Sequence, residues 1–210
     1  MVSVEEIKSA IVDREEEMTR LLSSEKIVER ENLRIERHIS PGVASIITGV
    51  RRCGKSVLAF QLAKKGKFGY VNFEDERLSM DGRELNKVLE ALYSLKGDVD
   101  LLVFDEIQNI PGWEKFITRI LPAKKVVITG SNARLMSREL ATYLTGRHLD
   151  FVLYPFSFSE FLRYKDVKVT PEDLHSTRSA TILKNLFEEY LISGGFPLAL
   201  KLGRLFLVEN

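Results

Sequence analysis

The sequence predicts an α/β fold, in which a five-stranded parallel sheet is flanked by helices and followed by a small C-terminal helical lid. Short β-rich segments alternate with helical segments from residue 44 to residue 155, which is the order of a parallel sheet covered by helices. The segments "LLVF" (101–104) and "VVIT" (126–129) are unbroken apolar runs. Strands that are covered on both faces require such runs. No strand pattern follows Pro155, so the rest of the chain is expected to be helical.

The predicted elements follow one another closely along the chain. The five predicted strands are "ASIITG" (44–49), "FGYVNFE" (68–74), "DLLVFDE" (100–106), "KKVVITGS" (124–131) and "LDFVLYP" (149–155). The helices between them are "KSVLAFQLAKKG" (55–66), "SMDGRELNKVLEALYSLKG" (79–97), "GWEKFITRIL" (112–121) and "SRELATYLTG" (137–146). Apolar residues also recur at helical spacing near the start, at Ile7, Ile11 and Met18. We expect an amphipathic helix there that packs on the domain, with a partner-binding helix as the alternative.

Helical signals continue after the last predicted strand. "SFSE" (157–160) fits a capping box, and Thr170 followed by Pro171 fits the start of another helix. A long helical pattern then ends at Gly194. The sequence therefore divides into an N-terminal helical segment (1–38), a core (39–156) and a helical lid (157–210).

Composition narrows the class of protein. The 210 residues carry a formal net charge of +1, so no global basic field indicates nucleic acid as a partner. The single cysteine, Cys53, excludes an internal disulfide framework and fits a reducing compartment. No apolar run reaches membrane-spanning length, and the start lacks the layout of a signal peptide. We therefore expect a cytoplasmic protein without a membrane partner.

The segment "GVRRCGKS" (49–56) has the spacing of a phosphate-binding loop, between a predicted strand and a predicted helix. Gly49 and Gly54 let the backbone curl around an anion. Successive N–H groups and the positive helix end then face the phosphates. Lys55 supplies a charge for the β- and γ-phosphates, and Ser56 supplies a hydroxyl for Mg²⁺. The residues expected to contact the nucleotide are Gly49, Val50, Arg51, Arg52, Cys53, Gly54, Lys55, Ser56 and Val57.

A pair of acids ends the third predicted strand. Adjacent strand residues point to opposite sides, so Asp105 and Glu106 should have different roles. Asp105 is expected to hold Mg²⁺ beside Ser56, and Glu106 to polarise the attacking water. The strand "FGYVNFE" comes between the loop strand and this strand in the sequence, an insertion typical of P-loop ATPases with a catalytic glutamate. No guanine signature occurs, so ATP is favoured over GTP.

The fourth predicted strand ends in "TGSN" (129–132). Ser131 or Asn132 would project a polar side chain toward the γ-phosphate and the water. A simple Ser/Asn turn explains either residue taken alone.

The ordered set of motifs resembles the archaeal and bacterial AAA+-type ATPases, relatives of the STAND class. The resemblance implies Mg²⁺-dependent ATP hydrolysis, with Lys55, Asn132, Glu106 and Arg147 as catalytic residues and Ser56 and Asp105 as metal ligands. It also implies Ser131 in the sensor and Pro197 near the adenine. From the residues alone, Gly194 and Gly195 would be a helix end before a new helix at Pro197. The segments that carry the resemblance are "GVRRCGKS", "YVNFEDERL", "VFDEIQNIPGWEKF", "ITGSNARLMSREL", "LTGRHLDFVLYPFSFSEFL" and "YLISGGFPLAL".

The resemblance also sets the functional alternatives. We expect ATP hydrolysis coupled to a rearrangement between core and lid. The alternatives are a slowly hydrolysing ATP-gated interaction switch and a DNA-associated ATPase of the replication-initiator type. ATP or ADP is the expected ligand, with a homo-oligomer or another protein as a possible partner. Members of the family continue into a C-terminal region, so residues 157–210 are expected to be its start or a truncated form of it.

Overall fold

A computed structural model of the chain describes residues 2–31, 35–130 and 143–202, apart from the side chain of residue 174. By their internal contacts the residues divide into two compact units, which the following paragraphs take separately. The first unit comprises Met1–Ser24, Arg34–Gly49 and Lys55–Leu153, and the second comprises Glu25–Leu33, Val50–Gly54 and Tyr154–Asn210. The three-part division at residues 38 and 156 stays a prediction.

The first unit contains a five-stranded sheet in which every neighbouring pair is parallel. Its strands are β1 (Ala44–Gly49), β2 (Phe68–Asn72), β3 (Leu101–Asp105), β4 (Lys125–Thr129) and β5 (His148–Leu153). Their order across the sheet is β2-β3-β4-β1-β5. The predicted fold class is confirmed. In space β4 separates the loop strand from the acid-bearing strand, while β2 lies at the edge of the sheet.

The strand register places polar residues side by side at the carboxyl ends of three strands. Asn72 of β2 pairs with Asp105 of β3. The β3–β4 register pairs Phe104 with Ile128, so one further residue brings Asp105 opposite Thr129. Because side chains alternate between the two faces of a strand, Tyr70 shares the face of Asn72. Four polar side chains of β2, β3 and β4 therefore meet on one face of the sheet.

Helices of the first unit bury its apolar core. They are α1 (Val4–Ser24), α2 (Lys55–Ala63), α3 (Leu85–Lys96) and α4 (Trp113–Ile120). Helix α1 packs against α3 and β2, and it buries Ile7, Ala10 and Ile11. The core cluster joins these residues to apolar side chains of the sheet, such as Val71 and Phe104. Helix α1 is thus an integral layer of the first unit.

The second unit contains the helices α5 (Phe158–Tyr164), α6 (Thr177–Ser193) and α7 (Pro197–Leu202), and a 3₁₀ helix spans Pro171–His175. Helix α5 begins with the expected capping box, in which the side chains of Ser157 and Glu160 each accept a hydrogen bond from the other's backbone N–H. Gly194, with φ of 63°, ends α6 in the left-handed conformation.

Among the helices of both units that the structure describes, α1 is the longest, with 21 residues. It carries charged residues throughout, including Glu5 and Glu6 in its first turn. Among residues 2–31, 35–130 and 143–202, no helix combines the length and the apolar character that a membrane span requires.

Candidate nucleotide-binding site

The backbone between β1 and α2 curls in the way that phosphate binding requires. Gly49, Arg52 and Gly54 have φ angles of 148°, 69° and 97°. Left-handed residues within a tight turn aim successive backbone N–H groups into one concavity, where an anion is stabilised. Helix α2 begins with Lys55, directly after this turn in the chain, and the N-terminus of a helix carries a partial positive charge. The loop therefore has the backbone shape of an anion site.

Lys55 is a buried cation at the end of the phosphate loop, and its ammonium group is suited to bind an anion. It is buried with 5% of its surface exposed, and its Nζ donates a hydrogen bond to the carbonyl of Gly49 over 3.2 Å. Burial of an ammonium group is costly unless it meets acceptors, and phosphate oxygens are strong acceptors. The ammonium group is thus held across the loop by a backbone carbonyl.

The variable residues of the loop have different surroundings. Val50, Arg51 and Arg52 are exposed, whereas Cys53 is buried. Val57 lies half-buried in the first turn of α2. Their contacts with a nucleotide stay predictions.

Asp105 lies at the centre of a polar cluster that it forms with Ser56, Tyr70, Asn72 and Thr129, and it is fully buried. Its Oδ1 accepts hydrogen bonds from Ser56 Oγ over 3.0 Å and from Thr129 Oγ1. Its Oδ2 accepts from Tyr70 OH over 2.6 Å and from Asn72 Nδ2 over 2.9 Å. All four donors are uncharged, so they orient the carboxylate without neutralising it. Burial, together with the charge of Asp105, raises the pKa of Tyr70 well above its ordinary value, which keeps its hydroxyl a donor.

The Ser56–Asp105 pair fits the ligand preference of Mg²⁺. Mg²⁺ takes oxygen ligands, usually one or two from the protein with substrate phosphates and water as the others. A hydroxyl and an oriented carboxylate oxygen, 3.0 Å apart at the end of the phosphate loop, form such a set. The sequence-based pairing of Ser56 with Asp105 thus agrees with the geometry.

Glu106 leaves the strand in a left-handed conformation, with φ of 54° and ψ of 40°. Its backbone N–H donates to Thr129 Oγ1 over 3.2 Å, and its Oε2 accepts a hydrogen bond from Gln108 Nε2. Burial raises the pKa of Glu106, against the opposing effects of the Gln108 hydrogen bond and the charge of Lys55. A carboxylate with a raised pKa is better suited to accept a proton.

Three residues of the cluster, Tyr70, Asn72 and Thr129, are absent from the set predicted from the sequence. The alternation of strand residues was the available signal, because it places Tyr70 and Asn72 on one face of β2. Their approach to Asp105 depends on strand order and register, which alternation alone does not give.

Arg147 lies at the opposite end of the sheet from the phosphate loop. It directly precedes β5, and its carbonyl accepts a hydrogen bond from the backbone N–H of Ala44, at the start of β1, over 2.9 Å. Gly49 ends β1 five residues later, roughly 16 Å away at about 3.3 Å per residue. The structure therefore does not bring Arg147 to the loop of its own chain, and action on a neighbouring subunit stays a prediction.

Three predicted site residues remain, which are Ser131, Asn132 and Pro197. Ser131 and Asn132 fall outside the described residues, so their sensor role stays a prediction. Pro197 is the first residue of α7 in the second unit. Nearby, the backbone N–H of Phe156 donates to the carbonyl of Gly195 over 2.8 Å. A role of Pro197 at the adenine stays a prediction.

Curated relatives share substantial sequence with this chain. An uncharacterized protein of Methanocaldococcus jannaschii is 38% identical over 179 residues, covering 82% of this chain and 39% of that protein. An uncharacterized protein of Haemophilus influenzae is 35% identical over 164 residues, covering 72% of this chain and 39% of that protein. The chain thus spans about two fifths of the length of these relatives.

The matches among solved structures have low sequence identity. Cdc6p from Pyrobaculum aerophilum matches with a TM-score of 0.46 and 14% identity, over 72% of this chain and 54% of that one. A DNA replication initiation factor matches with a TM-score of 0.40 and 16% identity, over 92% of this chain and 64% of that one.

A family model described as an AAA domain matches residues 42–162, which is more than half of the chain. The matched segment includes the phosphate loop, Asp105, Glu106 and all five strands. The chain therefore belongs to the AAA domain family, which consists of P-loop ATPases of the AAA+ type.

Proposed function

We propose that this chain binds ATP together with Mg²⁺ and hydrolyses it to ADP and phosphate. The observation that carries the proposal is the Ser56–Asp105 pair, with its oriented but unneutralised carboxylate, beside a second carboxylate of raised pKa at Glu106. Metal and water sites need different carboxylates, and these two adjacent residues have different partners.

The phosphate loop would bind the triphosphate. Its backbone N–H groups and the start of α2 would bind phosphate oxygens, and Lys55 would add its positive charge. Lys55 Nζ now bonds the carbonyl of Gly49, so nucleotide binding would replace that neutral acceptor with an anionic one.

Ser56 and Asp105 would hold Mg²⁺, which supplies charge neutralisation at the phosphates when it is bound. The contribution of the chain is to fix these two ligands. Tyr70, Asn72 and Thr129 hold the Asp105 carboxylate by hydrogen bonds.

Glu106 would accept a proton from the attacking water. The water oxygen forms a bond to the γ-phosphorus as the bond from that phosphorus to the β–γ bridging oxygen breaks, so ADP leaves with that oxygen. A catalytic base of this kind contributes typically about 10²–10⁴-fold. The backbone of Glu106 is left-handed, so this residue does not continue the extended conformation of β3.

The Glu106→Gln variant tests the proposal. We expect it to bind ATP as the wild type does and to lose turnover by roughly 10²–10⁴-fold, because glutamine is a poor proton acceptor. Phosphate release and equilibrium binding of a fluorescent ATP analogue would measure the two quantities. Glu90→Gln, at an exposed position of α3, is the matched control. Turnover at the wild-type rate in Glu106→Gln would rule out this assignment.

A second candidate function is the slowly hydrolysing ATP-gated switch, and the contact between Gln108 and Glu106 favours it. Gln108 Nε2 donates to the carboxylate that would activate water, so the carboxylate is already engaged. A switch predicts that Gln108→Ala speeds hydrolysis, because Glu106 is released. An ATPase in which Gln108 orients the base predicts that the same variant slows it.

Coupling between nucleotide state and the helical segment is also part of the proposal. Within the second unit, Arg30 Nη1 donates to the carbonyl of the loop residue Cys53 over 3.0 Å, and Arg30 Nε donates to Glu160 of α5 over 3.0 Å. A change in the loop would therefore act on a residue bonded to α5. The DNA-associated alternative stays a prediction, and salt-dependent binding to DNA would test it.

A further inference from the structure

Tyr70 places a polar atom in the interior of the first unit. It lies in β2 and is among the largest fully buried side chains of the described residues. The ring of Phe60, from α2, meets it edge to face, with centroids 5.0 Å apart and planes at 80°. Such packing fixes the ring in one position, so the direction of its hydroxyl is also fixed.

The hydroxyl is directed at the predicted metal carboxylate. Tyr70 OH donates to Asp105 Oδ2 over 2.6 Å, in the short range that is typical of O–H bonds to a charged oxygen. Phenylalanine would fill nearly the same volume without burying a hydroxyl, and burial of a hydroxyl is unfavourable unless it is bonded. Packing therefore does not account for the hydroxyl, whereas its bond to Asp105 does.

The two oxygens of Asp105 have different sets of donors. Oδ1 faces Ser56 and Thr129, and Oδ2 faces Tyr70 and Asn72. If Ser56 turns its hydroxyl toward a metal ion, the Oδ1 side loses a donor. The Oδ2 side keeps both, because neither Tyr70 nor Asn72 belongs to the predicted metal ligands. Both bonds to Oδ2 therefore persist when metal binds, as does the bond from Thr129 to Oδ1.

Helix α1 contributes to the surroundings of the hydroxyl. The guanidinium of Arg14 lies beside Tyr70 and opposes the rise of its pKa. Arg14 belongs to α1, which lies outside the residues that match the AAA domain model. Helix α1 thus contributes a charge to the surroundings of the Tyr70 hydroxyl.

We propose that Tyr70 is a positioning residue for the metal site, whose hydroxyl fixes the orientation in which Asp105 receives Mg²⁺. This inference rests on the proposed function, since it assumes that Asp105 serves a nucleotide-bound Mg²⁺. It predicts a defect in the response to Mg²⁺ rather than in binding of the nucleotide itself.

The test compares Tyr70→Phe with the wild type in two binding measurements. One is the Mg²⁺ concentration that gives half of the Mg²⁺-dependent gain in ATP affinity, and the other is ATP affinity in excess EDTA. We expect the first to rise roughly tenfold, as for loss of one hydrogen bond to a charged group, and the second to stay unchanged. Tyr93→Phe, on the exposed side of α3, is the control and should change neither.

Two results would overturn the role of Tyr70. One is a normal Mg²⁺ response in Tyr70→Phe. The other is equal weakening of ATP binding with and without Mg²⁺, which would indicate general damage to the fold. Asn72→Ala removes the other Oδ2 donor, so it provides a second variant that should shift the Mg²⁺ response in the same direction. A normal response in Asn72→Ala would also contradict the proposal.

Failure of the proposed function would look different. If the wild type binds ATP with Mg²⁺ but does not hydrolyse it, hydrolysis is wrong and the binding test of Tyr70 still applies. If Mg²⁺ has no effect on nucleotide binding by the wild type, the metal site itself is wrong.

Discussion

Asp105 of the first unit and Glu160 of the second are both buried carboxylates, with 0% and 3% of their surface exposed, and they are held in opposite ways. Glu160 forms an ion pair with Arg30 over 3.0 Å and also accepts the backbone N–H groups of Glu31 and Ser157. The four bonds to Asp105 come from uncharged donors.

The difference separates a structural carboxylate from one suited to a ligand. The charge of Glu160 is balanced within the chain, so the group joins Arg30 to the start of α5. Asp105 is oriented by uncharged donors, so none of its hydrogen bonds supplies the positive charge that a bound cation would bring. Burial alone therefore does not identify a metal ligand, but burial with only uncharged donors favours one.

The largest expected effect is on the free energy of unfolding, through the ion pair between Arg30 and Glu160. Arg30→Met should leave Glu160 as an uncompensated buried charge and lower the free energy of unfolding by about 3–5 kcal/mol. Urea denaturation followed by circular dichroism would measure it. Arg83→Met removes a 91% exposed arginine from an ion pair with Asp81, so it should have little effect. Equal stability of the two variants would remove the structural role assigned to Glu160.

The next largest effect concerns Asp105, the proposed metal ligand. Asp105→Asn should lower Mg²⁺-dependent ATP turnover roughly 100-fold, because the amide supplies no charge for the cation. Its unfolding free energy should change less than that of Arg30→Met, because Asp105 has no charged hydrogen-bond partner among the described residues. Turnover assays and urea denaturation would be run on the same preparations. A loss of stability as large as that of Arg30→Met would contradict the distinction between the two carboxylates.

The smallest expected effect is on the pH dependence of ATP turnover, through the protonation of Glu106. Burial raises the pKa of Glu106 above its ordinary value of 4.5, and the ionised form is the proton acceptor. Turnover should therefore fall as the pH decreases through this raised pKa, and the acid limb should disappear in Glu106→Gln.

The same shift has a consequence for stability. The native state binds this proton more tightly than the unfolded state, so the contribution of Glu106 to stability is lost as the pH rises from 4.5 through the native pKa. The unfolding free energies of the wild type and Glu106→Gln should therefore diverge across this range. As the pH rises, the wild type should lose stability relative to the variant. Parallel curves would show that the pKa of Glu106 is not raised.

The sequence predicted the parts of the site that are local in the chain. The loop at 49–56 and the acids at 105 and 106 lie in short motifs, and the end of a strand shows where each belongs. The resemblance assigns Arg147 to the site, and Arg147 precedes a parallel strand. This places it at the sheet edge opposite the phosphate loop of its own chain, and its action on a neighbouring subunit stays a prediction. Strand direction was thus a usable signal.

Residues brought together by the order of the strands were not predictable in this way. Thr129 meets Asp105 because β4 lies between β1 and β3, and the sequence alone did not give this order. Arg30 belongs to no motif, and its bond to Glu160 spans 130 positions. Such contacts depend on the register and packing of distant segments.

The left-handed backbone of Glu106 has a consequence for directed evolution of this protein. Glycine and asparagine adopt that conformation with less strain than glutamate does. A library selected only for heat resistance should therefore accumulate these residues at position 106 while catalysis is lost unnoticed. Screens for thermostable variants need to hold this codon fixed or to score turnover in parallel.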